Sequence, residues 1–303
     1  MTIRFQLKFS LLVYKIFCKS IYFQIGRFLT SLFLIFSFTS CSNTRLAYNI
    51  AEEFIKKEVN YFINIDDKEE IILKQQISQM VAWHRKSMLP IYADYLKSIA
   101  DEIQYNSNNT VYVSKAVDDA QLLIEKTVIG LTPHASKYLV RHQSAEAIEF
   151  IKKKIELRRN KRLKEFTESD DELYKKRLKK IKSNFERFFG EINDEQFKLI
   201  QKYSRATLTD SSTRYKNRIM KQNAFIQFLK SQPNEKELTI FLNRLLLRGY
   251  EIVNPEYQKF SQVWLDRFIG LLENMLMISS KKQQEKITTK LRNYAEDFSS
   301  ASE

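Results

Sequence analysis

From Leu46 onward, apolar residues recur at steps of three and four along nearly the whole chain. That period places them on one face of an α-helix, whereas half-buried strands would alternate every second residue. The first helix is expected over about 45–63. "NIDDKEEIIL" breaks and restarts the chain, and Asp66 with Glu69 reads as a capping box. The second helix carries Ile72, Gln76, Met80, Trp83 and Ser87 on one face, and Pro90 opens the next helix, since it cannot continue the previous one without losing a hydrogen bond. "YNSNNT", Tyr105 to Thr110, reads as a polar loop before a helix over 111–129. There, Gly130 is expected to stop the helix, with Thr132 capping and Pro133 opening a long helix to about 166.

Further along, Ser169 pairs with Glu172 as another helix start. Tyr174, Leu178, Ile181, Phe185, Phe188 and Ile192 then step by 4, 3, 4, 3, 4. This heptad-like seam lasts about three heptads, which suits packing inside a bundle better than a dimeric coiled coil. Asn193 with Gln196, Asn234 with Glu237, and Ser280 with Gln283 mark three more starts. Helices are expected over 194–206, 211–230, 235–248 and 255–277, then one final helix with a frayed tail from Ser299. The pattern predicts an all-α bundle of about ten helices joined by short loops. Only 5 Gly and 4 Pro occur in 303 residues, too few for the tight turns of a β-rich fold.

Residues 1–40 break the pattern. They hold Arg4, Lys8, Lys15, Lys19 and Arg27 without an acid, followed by the uncharged run "FLTSLFLIFSF", Phe28 to Phe38. A basic stretch, a short apolar run and small residues make a secretory signal, and about 11 apolar residues cannot span a bilayer that needs roughly 20. Thr39 and Ser40 lead into Cys41, an arrangement that resembles the lipobox of bacterial lipoproteins, with Phe38 where Leu is usual. The resemblance implies cleavage before Cys41 and lipid attachment to its sulfur. The expected organisation is therefore a signal over 1–40 and one helical domain over 41–303, anchored at Cys41. By the same resemblance Ser42, where an Asp would retain the protein in the inner membrane, implies the periplasmic face of the outer membrane. The only other cysteine, Cys18, leaves with the signal, so the mature chain has no disulfide.

The formal net charge is +14, of which the five basic residues of the signal carry +5, leaving +9 on residues 41–303. Much of it lies in 152–164 and 175–187, so Lys152, Arg158, Arg159, Arg162, Lys176, Lys179 and Lys180 are candidate contacts to an anionic surface. An exported protein does not meet nucleic acid routinely, so anionic lipid or envelope polymer is the expected partner class, besides an envelope protein.

The lipobox, "RLAYN" (Arg45 to Asn49) and "WHRKSMLPIYADYL" (Trp83 to Leu96) together resemble an uncharacterised family of bacterial lipoproteins. "GEINDEQ" at 190–196 and the Gln283–Gln284 helix start extend the likeness, with Asn193 in place of a common Thr and Tyr203 in place of Trp. The resemblance implies the helical fold and the envelope address, and no activity. It singles out Tyr48, Asn49, Trp83, His84, Arg85, Pro90 and Tyr92 as an interaction motif.

Chemistry is sparse. The three histidines, His84, His134 and His142, have no thiol to join them and no zinc-site spacing, and no nucleophile elbow, phosphate-cradling loop or dinucleotide fingerprint occurs. No cofactor, metal or catalytic residue is expected. The leading expectation is a non-enzymatic envelope interaction or assembly factor. The alternatives are a binder of lipid or anionic polymer, and an envelope hydrolase centred on His84.

Overall fold

In a computed structural model, the described residues are 43–106, 110–163 and 168–303. Residues 1–42, with the expected signal segment and Cys41, lie outside them. The described chain is an all-α multi-helix bundle: α1 (Asn43–Phe62), α2 (Asp67–Ser87), α3 (Leu89–Tyr105), α4 (Tyr112–Leu139), α5 (Ala145–Leu163), α6 (Asp170–Phe189), α7 (Asp194–Ala206), α8 (Asp210–Lys230), α9 (Glu235–Leu247), the single turn α10 (Tyr250–Val253), α11 (Tyr257–Met277) and α12 (Lys281–Ser302).

Helices α2 and α3 form one bent rod. Met88 N–H donates to the His84 carbonyl at 3.0 Å and Tyr92 N–H to that of Met88 at 2.9 Å, so the ladder carries across the junction. Pro90 sits in the first turn of α3, where its missing N–H does least harm. On α2 the buried residues are Leu73, Ile77 and Val81. The inward stripe is thus one residue out of phase with the expected Ile72, Gln76 and Met80, because three consecutive apolar residues at 71–73 leave the phase open.

Helix α4 lies antiparallel to this rod. Its 28 residues span about 42 Å, enough to reach both halves of it. Arg141, just past its end, bonds Glu69 near the start of α2, while Tyr95 of α3 bonds the Ala116 carbonyl near the start of α4. Two main cores flank the pair. One gathers α3, α6, α7, α11 and α12 around Leu89, Phe188, Ile200 and Met275. The other gathers α1, α2, α5, α8 and α9 around Leu73, Ile151, Leu229 and Leu238.

The expected break at Gly130–Pro133 does not exist, because α4 runs through it. Gly130 is a notch: a Cβ there would stand 1.9 Å from Cη2 of Trp83. Pro133 cannot donate to the Ile129 carbonyl, but the Thr132 hydroxyl lies 3.3 Å from that oxygen and 2.6 Å from the Asn243 side-chain amide of α9. The local hydroxyl stands beside the carbonyl freed by Pro133, and its contact to the accepting Oδ1 of Asn243 ties this turn to α9. The true break falls at 140–144, where Ser144 Oγ accepts from Ala147 N–H at 3.2 Å and opens α5. The expected frayed tail is also corrected. Helix α12 continues to Ser302, with Phe298 and Ala301 buried against α3, since it runs antiparallel to α3 in the most extensive helix pairing of the fold.

The capping boxes at Asn193, Asn234 and Ser280 form as expected. Two of them are joined: the buried side-chain amides of Gln196 and Gln283 bond each other reciprocally at 3.0 Å, and Gln283 Nε2 also donates to the Glu191 carbonyl at 2.8 Å. Gln196→Leu therefore removes a cap and strands part of a buried amide, and about 2 kcal/mol of stability is expected to be lost in urea unfolding. Glu237→Ala, which opens the exposed box of α9, is expected to cost under about 1 kcal/mol. Equal losses would mean that the Gln196–Gln283 bridge adds nothing.

Candidate functional site

The linker between α1 and α2 spans only 63–66, so the two helices fold back antiparallel and the start of α1 lies beside the end of α2. Tyr48 thereby reaches His84, and its hydroxyl lies 2.6 Å from Nδ1. On the other side, Tyr92 of α3 approaches His84 Nε2 at 3.4 Å and is hydrogen-bonded to the hydroxyl of Thr127 on α4. Thr127 donates to the Leu123 carbonyl at 2.7 Å. That last bond orients the whole chain of protons. Thr127 oxygen accepts from Tyr92, Tyr92 oxygen accepts from Nε2–H, and the free lone pair of Nδ1 accepts from Tyr48. One relay thus ties four helices, where the two main cores meet and Tyr48 packs against both.

The rest of the motif surrounds it. Trp83 fills the Gly130 notch, and the Arg85 guanidinium stands 5.3 Å from the Tyr48 ring centre. Pro90 marks the bend of the rod. Asn49 lies on α1, and its side chain falls outside the described atoms. Burial pushes His84 down to about 4 and Tyr92 up to about 12, the latter opposed by its bond to Thr127. Tyr48 is also raised, first by burial, then by Tyr92. Every member is neutral at ordinary pH, and neither ring nitrogen of His84 is left to take a proton from a substrate in this arrangement.

The basic candidates are scattered. Arg158 pairs with Glu58 at 2.9 Å and stacks on Tyr61 and Phe62 of α1. Arg159 donates to Gln222, Asn223 and the Ile219 carbonyl of α8. These two arginines pin α5 to its neighbours. Arg162 is half-buried at the end of α5, and Lys152 lies 3.4 Å from Glu149. Lys176 pairs with Glu168, and Lys179 and Lys180 are exposed on α6. Among the described residues, no three His, Cys, Asp or Glu side chains converge as a metal site, and no helix is long and apolar enough to cross a membrane.

Apolar periodicity missed one feature. The first half of α8 turns a polar stripe inward, with Asp210, Asn217 and Lys221 buried and Arg214 half-buried between them, before Ile226 and Leu229 enter the core. Their 4, 3, 4 spacing is a helical stripe that a search for charged periodicity would have found.

Because His84 binds fewer protons folded than unfolded, stability is expected to fall as pH drops from about 6.5 towards 4, by about 2 kcal/mol for this half-buried ring. His84→Gln, whose amide can still accept from Tyr48, is expected to flatten that part of the profile in urea titrations at several pH values. Tyr48→Phe leaves Nδ1 without its donor and is expected to cost about 1–2 kcal/mol at pH 7. An unchanged pH profile in His84→Gln would show that protonation of His84 does not oppose folding.

No curated protein and no solved structure matches this chain at a significant level. A family model does match, over residues 61–258, which include the His84 relay apart from Tyr48 and the whole of the α8 stripe. The chain belongs to that family, described as a family of unknown function (DUF6279).

Proposed function

We propose that the protein is a lipoprotein of the cell envelope, anchored through Cys41 at the periplasmic face of the outer membrane, and that it acts there as a non-enzymatic interaction or assembly factor. The observation that carries this reading is the fixing of α1 into the bundle through Tyr48–His84 and Glu58–Arg158. Helix α1 starts at Asn43, two residues past Cys41. The chain between Cys41 and Tyr48 then reaches at most about 15 Å, counting five helical and two extended steps. A lipid on Cys41 would hold the folded bundle directly on the membrane, without a flexible spacer. A partner would be met close to the lipid surface, next to the Tyr48–His84 motif.

The second reading, a binder of lipid or anionic polymer, is favoured by the charged stripe of α8. The cleft of about 320 Å³ between α1 and α2 does not add to it, because the carboxylates of Glu52 and Glu53 stand at it beside Lys56 and Lys74 and oppose an anionic ligand.

The test is fractionation and gentle co-purification of wild type against Cys41→Ser. Wild type is expected in the outer-membrane fraction with an enriched envelope protein, and the variant is expected to lose both. If Cys41→Ser fractionates with membranes as wild type does, the anchor assignment fails. If wild type brings down phospholipid or glycan and no protein, the second reading replaces the first.

A further inference from the structure

Globular proteins rarely turn charged residues inward, and α8 turns a polar and charged stripe inward along about three turns. Asp210 is 3% exposed and Asn217 4%. At the Asp210 end three arginines converge from three helices. Arg177 of α6 donates through Nε, at 2.9 Å, and through Nη2 to the Thr207 hydroxyl, and lies 5.8 Å from the Tyr203 ring centre. Arg214 of α8 stands 5.3 Å from the Trp264 ring centre. Arg267 of α11 bonds the Ala206 carbonyl at 3.3 Å and comes within 3.8 Å of Asp210 Oδ1. Among the described residues, the buried Asp210 Oδ2 has no hydrogen-bond partner, and neither have Asn217 Oδ1 on the same helix face or the buried Trp264 Nε1.

Two facts about this junction are unexplained by the fold alone. The first is charge. Burial opposes the charged forms of Arg177 and Arg214, Arg214 adds to the pressure on Arg177, and Asp210 is the carboxylate that both arginines feel. The second is the orphan carboxylate oxygen. A buried acceptor without a donor is costly, more so when charged, and needs a reason.

We propose that the junction of α6, α8 and α11 binds a phosphate ester that carries a hydroxyl or ammonium next to its phosphate, with Arg177, Arg214 and Arg267 on the phosphate and Asp210 Oδ2 accepting from the neighbouring donor. Guanidinium groups suit phosphate oxygens, and the aromatic faces of Tyr203 and Trp264 hold Arg177 and Arg214 in place beforehand, with the Nε–Nη2 edge of Arg177 already on Thr207. Asp210 repels a bare phosphate and rewards an ester with a donor at the right place, so it sets specificity. Phospholipid head groups and soluble phosphate esters share this chemistry. The assignment is independent of the Cys41 anchor, since no part of it rests on residues before Arg177.

The test uses the detergent-solubilised full chain at fixed ionic strength. Phosphoethanolamine and inorganic phosphate are titrated by calorimetry. Phosphoethanolamine is expected to bind at least about tenfold tighter, a difference of about 1.4 kcal/mol. Arg267→Gln, at an exposed position whose loss leaves the core intact, is expected to weaken it about tenfold. Asp210→Asn is expected to keep phosphate binding and bring the two ligands within about twofold. Circular dichroism verifies that both variants are folded. Phospholipid that co-purifies with wild type and is lost from Arg267→Gln assigns the ester to a lipid head group. Saturable phosphoethanolamine binding without such lipid assigns it to a soluble ester. The proposal is overturned if neither ligand saturates by about 10 mM, or if the folded variants bind both as wild type does.

Discussion

Trp83 occupies the space over Gly130 in which any side chain would stand, and that single fit sets the register of the bent α2–α3 rod against α4. Once the register is set, the other contacts along the pair fall into line. Glu69 meets Arg141 towards one end, Tyr92 meets Thr127 in the middle, and Tyr95 meets the Ala116 carbonyl towards the other. The two main cores then form on either half of this spine. A slide of one helical turn, about 5.4 Å, would drive the indole into a side chain of α4 and break each of these polar contacts together. The spine is therefore specified by one steric notch and a row of hydrogen bonds, while apolar burial on both flanks supplies the bulk of the stabilisation.

What could be read from the sequence follows from where each signal is generated. Capping boxes are local, with donor and acceptor three residues apart, so Asn193, Asn234 and Ser280 were legible without the fold. So was the seam through Phe185 and Phe188, because its period is a property of one helix. Gly130, Thr132 and Pro133 were misread because their local chemistry does signal a break, and only the indole of α2 and the amide of Asn243 on α9 outweigh it. The tail failed in the same way, since nothing local distinguishes a frayed end from one buried under α3. Of the motif, Tyr48, His84 and Tyr92 were identified as belonging together, but their order in a proton-bonded chain depends on Thr127, which no motif marks.

The positive charge of the middle helices shows how composition can mislead about surfaces. A count of Lys and Arg over 152–164 suggests a solvated basic face. Yet α5 buries only Ile148, Ile151 and Ile155, a narrow apolar stripe for holding a helix of 19 residues. Arg158 and Arg159 widen it by laying their stems and guanidinium groups against Tyr61, Phe62, Gln222 and Asn223. Arginine suits this use because its planar head can stack and donate at once. Charge on such a helix is divided by position, with residues at the edge of the apolar stripe acting as mortar and those opposite it left to solvent.

Two polar junctions of the fold solve one electrostatic problem in opposite ways. At the His84 relay every group is neutral, and each donor in the chain of hydroxyls and imidazole has its acceptor, so burial costs little and the bond network is closed. At the head of α8 the groups are charged and the network is open, with a carboxylate oxygen and an indole N–H left over. A chain that needed only to close the gap between helices could have used the first solution twice. Apolar side chains of similar size at 210, 214 and 217 would pack such a junction without the desolvation of two ions and an amide. An open, charged network of this kind is the arrangement expected of a place where something else completes the set. The relay positions helices, and the α8 junction is where the molecule has chemistry left to offer.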